Sequence, residues 1–190
     1  MDIWILLFIQ EHIRRPILDE IMILITHSGD YGILCIAACL VLLVIPKMRR
    51  LGAAIALSLI IEAIVTNVLI KNIVARTRPY EVIEELILMI EKQPDFSFPS
   101  GHAGITFAFA GVFLFSVIFG IRVGTDRARF KAVTAVIMAY AVVLAFSRLY
   151  VGVHYPTDVI GGMALGLISA LAAYFLEDKL HSAFSRRKKA

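Results

Sequence analysis

The chain has 190 residues, 59% of them hydrophobic, with a mean hydropathy of +0.83 and a formal net charge of +4. That balance excludes an ordinary soluble domain, and its long apolar runs point to one integral membrane domain over residues 1–190. The excess of cations is no nucleic-acid footprint, because Lys and Arg gather at the ends of the apolar runs.

Residues 2–13 are apolar but too few to cross a bilayer, and Trp4 near one end predicts an interfacial helix, broken by Arg14-Arg15-Pro16. Asp2 stands where a signal peptide would be basic, and no small-residue cleavage site follows. A second apolar stretch begins at Ile17, is interrupted by Thr26-His27-Ser28-Gly29-Asp30 and resumes to Ile45. The membrane-deep part of this first span is expected over 29–45, with Asp30 near its outer end. Cys35 and Cys39, four apart on one helix face, read as small apolar packing rather than a disulfide or a metal site. The second span, 51–70, carries Glu62 and Asn67, for which helix–helix hydrogen bonds are the expected role. The loop 71–99 is the longest polar segment. Within it, Glu81 to Glu91 alternates acids with Val82, Ile83, Leu86, Ile87, Met89 and Ile90, which predicts a short amphipathic helix on the membrane. Three further spans are expected over 101–121, 132–146 and 156–176. The predicted fold is all-α, an integral membrane helical bundle of about five to six transmembrane helices.

Twelve of the nineteen Lys and Arg residues lie in the turn at 46–50, the loop at 121–131 (Arg122, Arg127, Arg129, Lys131) and the tail. With five spans these segments share one side, so the positive-inside rule puts the tail in the cytoplasm and the 71–102 loop outside. Parity also collects chemistry on that outer face. Lys71 ends one span, Ser100-Gly101-His102 opens the next, Arg148 ends the fourth, and His154 and Asp158 open the fifth. Lys71 and Arg78 are two helical turns apart and share a face if the helix persists toward Pro79.

The free N–H groups and positive dipole end at Gly101 make an anion site, to which Ser100 adds a hydroxyl. Taken alone, the same residues describe a helix cap beside an interfacial imidazole. His154 and Asp158 are four apart, so the carboxylate can hold one ring nitrogen and leave the other free to attack. Two histidines among fixed cations suit phosphoryl transfer, one attacking phosphorus and the other protonating the leaving oxygen. Unrelated snorkelling cations would account for Lys71 or Arg148 singly, not for five separated elements at one depth.

Lys71-(six residues)-Arg78-Pro79, Pro99-Ser100-Gly101-His102 and Ser147-Arg148-(five residues)-His154-(three residues)-Asp158 together resemble the three-part signature of the type-2 phosphatidic acid phosphatase superfamily. The resemblance covers about residues 67–160. It implies that His154 is a nucleophile forming a phosphohistidine, Asp158 its orienting partner and His102 the acid for the leaving group. It also implies that Lys71, Arg78, Ser100, Gly101 and Arg148 hold the phosphate, and that neither metal nor other cofactor is needed. The expected substrate is a lipid (pyro)phosphate, foremost undecaprenyl diphosphate. Phosphatidic acid or phosphatidylglycerol phosphate is the alternative, and a non-catalytic lipid-phosphate binding or transport protein the alternative of another class. Membrane lipids are the other expected partners.

Overall fold

The computed structural model describes residues 2–120 and 126–187, and every regular element among them is helical. α1 (Asp2–Phe8) runs on as a π-helical turn, Ile9–Ile13, before Pro16 opens α2 (Pro16–Ser28) at a position where no N–H is needed. A 3-10 turn, Asp30–Gly32, joins α2 to α3 (Ile33–Val44). Tyr31 and Gly32 both take positive φ, 54° and 65°, and the two helices are bent by 45°. The expected span over 29–45 is therefore only the second half of a broken pair. The polar residues at 26–30 mark the break, because two consecutive left-handed residues cannot continue a right-handed helix.

α4 (Arg49–Ala63) passes through a π-helical stretch, Ile64–Ile70, into α5 (Lys71–Val74). Ala75, at φ 46°, then ends the helix, so Lys71 and Arg78 do not share a helical face as their spacing suggested. Arg78 sits in extended backbone ahead of α6 (Pro79–Val82), a single turn.

The amphipathic helix expected over 81–91 does not form beyond Val82. Its backbone groups are taken by other segments instead. The Met89 N–H donates to the Val151 carbonyl (3.2 Å), and the Ile87 N–H donates to Gln10 Oε1 (2.7 Å). The Ile87 carbonyl accepts from Arg14 (2.8 Å), while Ile83 and Leu86 are buried with Leu6 and Tyr155. Tertiary partners thus replace the i→i−4 ladder, and the apolar residues that suggested a membrane face plug the loop onto α1.

α7 (Gly101–Phe119), α8 (Arg127–Tyr150) and α9 (Pro156–Arg187) complete the bundle. Arg122 of the expected basic loop, and Lys188 and Lys189 of the tail, lie outside the described residues. Asp126 caps α8, accepting from the Arg129 N–H at 2.9 Å. Among the described residues four helices are long and apolar enough to cross a membrane, and the bent pair α2–α3 makes a fifth if the two halves form one span. Ile17, Leu24, Val41, Val44, Val136 and Ile168 stand exposed around the outside, a lipid-facing girdle rather than a water-facing one.

The most extensive packing is between α7 and α9, and small residues permit it. A Cβ on Gly166 would lie 2.3 Å from the Gly104 carbonyl and 2.8 Å from the Ala108 nitrogen, both backbone atoms. Gly166→Ala must therefore push the two helices apart. A loss of roughly 1–3 kcal/mol is expected, read as a lower midpoint of thermal unfolding in detergent.

Candidate active site

Five chain segments meet where α7 and α9 begin and α8 ends. The turn after α8 needs Gly152, at φ 83°, to bring His154 back under the bundle. His154 Nε2 lies 3.5 Å from Arg78 Nη1, and its Nδ1 lies 3.7 Å from Asp158 Oδ2. Arg78 is fixed by donating from Nη1 to the Val153 carbonyl (2.9 Å) and from Nε to the Asp95 carbonyl (2.8 Å). Burial pushes the His154 imidazole well below its usual range, and the Arg78 and Arg148 charges act the same way against Asp158. The ring is neutral at neutral pH, the form that carries a nucleophilic lone pair.

Asp158 is fully buried and accepts three hydrogen bonds: from Arg76 Nη1 (2.5 Å), Ser97 Oγ (2.5 Å) and the Tyr155 N–H (2.9 Å). Its own carbonyl accepts from the Ser100 N–H (3.0 Å), which ties the start of α9 to the start of α7. Ser100 Oγ accepts from the Ala103 N–H (3.5 Å), the N-cap geometry of α7.

Lys71 and Arg78 converge on one carboxylate, Asp95, which bonds Lys71 Nζ through Oδ2 and Arg78 Nη2 through Oδ1 (2.5 Å). Burial opposes its ionisation. The Lys71 hydrogen bond and the Lys71 and Arg78 charges outweigh that and hold the carboxyl down to about 2. Arg148 is 1% exposed, donates from Nη1 to Thr26 Oγ1 (2.5 Å), and keeps Nε without a partner among the described residues. His102 Nε2 pairs with Asp30 Oδ1 at 3.0 Å, which leaves the other ring nitrogen for a second proton partner. A cavity of about 510 Å³ opens beside these residues, with Asp30, Glu62, Lys71, Asp95 and His102 on its wall.

The profile of the PAP2 superfamily matches residues 47–181. The chain belongs to that superfamily. An undecaprenyl-diphosphatase of Sulfolobus acidocaldarius is 31% identical over 150 residues, a match covering 78% of this chain and 66% of that protein. The phosphatidylglycerophosphatase B of Bacillus subtilis is 26% identical over 169 residues, covering 88% and 79%. A crystal structure of a transmembrane PAP2-type phosphatidylglycerolphosphate phosphatase from Bacillus subtilis superposes with a TM-score of 0.73 at 28% identity, over 96% of this chain and 85% of that one. The chain thus spans just under two thirds of the length of the Sulfolobus relative.

Several residues of this PAP2 site escape a reading of the sequence. Arg76 and Ser97 hold Asp158, and Arg76 also bonds Asp2 (3.0 Å) and lies over the Tyr155 ring, 3.9 Å from its centroid. Thr26 and Asp30 reach in from the α2–α3 break, and the polar interruption at 26–30 was their one signal. Glu62 is 1% exposed, and its Oε1 has no hydrogen-bond partner among the described residues. The helix–helix bond expected of Glu62 is absent at that oxygen, which is buried against Gly104 of α7.

Proposed function

We propose that this PAP2 protein is a membrane lipid phosphatase that removes a terminal phosphate, foremost from undecaprenyl diphosphate, through a phosphohistidine on His154. The observation that carries the reading is the placement of the His154 ring, with Nε2 beside Arg78 and Nδ1 toward Asp158. In the first step Nε2 attacks phosphorus, the bond to the leaving oxygen breaks, and His102 gives that oxygen a proton. In the second step His102 takes a proton from water, whose oxygen attacks phosphorus and breaks the P–N bond, releasing inorganic phosphate. Asp158 holds the Nδ1–H through both steps. Lys71, Arg78, Arg148, the Ser100 hydroxyl and the backbone at Gly101 neutralise the phosphoryl oxygens, whose charge is greatest in the transition state. A binding or transport protein has no use for a nucleophile paired to a carboxylate.

A lipid substrate is supported by a second cavity, about 360 Å³, lined by Leu34, Cys35, Ala38, Phe109, Val136 and Ile137. Thr106, one helical turn from His102, also borders it. The activities for which the relatives are named favour a polyprenyl diphosphate first and phosphatidylglycerol phosphate second. The cation distribution favours an extracytoplasmic site and a cytoplasmic C-terminus.

The test is a panel on purified protein in detergent: undecaprenyl diphosphate, phosphatidic acid and phosphatidylglycerol phosphate, with phosphate release as the readout. Fastest release from the diphosphate, with inhibition by vanadate, is the expected result. No release from any of the three would remove the reading.

A further inference from the structure

Asp95 takes no part in the reaction described above, yet its carboxylate bridges two residues assigned to the phosphate. Its oxygens meet Lys71 Nζ and Arg78 Nη2 as two oxygens of a phosphate would. The side chain is 46% exposed and lies on the cavity wall, whereas Arg78, Arg148 and His154 are buried to within 3% of full closure. An anion arriving through the cavity meets Asp95 first and reaches Arg78 by displacing it. That displacement leaves the loop anchored, because Arg78 Nε holds the Asp95 backbone carbonyl and Ser97 donates from its backbone N–H to the Arg76 carbonyl (2.8 Å).

We propose that Asp95 is a specificity residue: a resident carboxylate that terminal phosphates displace from Lys71 and Arg78 and phosphodiester headgroups do not. The proposal rests on the cradle holding a phosphoryl group. A phosphodiester carries one negative charge on two free oxygens, which repeats what Asp95 already supplies and gains nothing by the exchange. A terminal phosphate brings more charge and a third free oxygen, and the Nε of Arg148, without a partner among the described residues, is a donor for it. The distinction matters in a bilayer, whose bulk phospholipids are phosphodiesters at a concentration far above any terminal-phosphate lipid.

The experiment measures turnover of phosphatidic acid in mixed micelles at a fixed surface concentration, with phosphatidylglycerol as the phosphodiester inhibitor and inorganic phosphate as the second. Wild type and Asp95→Glu should resist phosphatidylglycerol. In Asp95→Asn and Asp95→Ser its inhibition constant should fall roughly tenfold, the scale of a charge-assisted hydrogen bond lost by the competitor, and fall more than that of inorganic phosphate. An unchanged or higher constant for phosphatidylglycerol in a folded variant would overturn the proposal and leave Asp95 as a loop tie. Failure of both variants to fold would overturn it too, since a group displaced at every turnover cannot be needed for folding. Wild type that releases phosphate from no lipid would defeat the reading of the site itself, and normal wild-type turnover with an unmoved constant would defeat the filter alone.

Discussion

Replacing His154 by alanine is expected to lower kcat for phosphate release by at least about 10⁴-fold while the protein still unfolds at a similar temperature. The ring is buried but holds little of the structure together. Its nearest polar neighbours are Arg78, which keeps the Val153 and Asp95 carbonyls, and Asp158, which keeps three other donors. Vanadate should still bind the variant, because Lys71, Arg78 and Arg148 remain. The wild-type pH profile carries the same residue's signature. His154 must be neutral to attack, and burial has moved its pKa down, so activity is expected to persist below pH 6.5, the ordinary imidazole range, and to fall only as the pH drops through the depressed value. An acid limb at or above 6.5 would mean that another group carries the attack.

The helices and the signature residues were legible because each depends on near neighbours. Apolar runs set the spans, Pro156 and Ser100 set two helix starts, and span parity put Lys71, His102, Arg148 and His154 on one face. What the sequence hid depends on partners far along the chain. Nothing in an ordinary alanine announces that residue 75 takes a left-handed conformation, so the helical path from Lys71 to Arg78 looked continuous. The residues 83–91 have the pattern of an amphipathic helix, and only Gln10, Arg14 and Val151, each at least sixty residues away, keep them from forming one. Arg76 and Ser97 look like any loop residues until the start of α9 is placed beside them.

Asp158→Asn should cost about 10³–10⁴-fold in kcat, the scale seen when an orienting carboxylate of a histidine is made neutral. The amide has the size of the carboxylate, so the change is one of charge and donors. Arg76, Ser97 and the Tyr155 N–H all donate to Asp158, and an amide nitrogen in place of one oxygen sets a donor against a donor. Asp158 Oδ2, 3.7 Å from Nδ1, is the carboxylate proposed to select the Nδ1–H tautomer, and without its charge the lone pair at Nε2 is no longer assured. Asp158 also favours the charged ring against burial, so its neutralisation should move the acid limb of the pH profile further down. That shift separates positioning from packing: a variant that lost activity only because α9 moved would have no reason to titrate lower. Vanadate affinity offers the second separation, since Lys71, Arg78 and Arg148 do not touch Asp158. A fall in kcat with vanadate binding kept and the acid limb lowered would place Asp158 behind the nucleophile, and a fall in both kcat and vanadate binding with the acid limb unmoved would make it a strut.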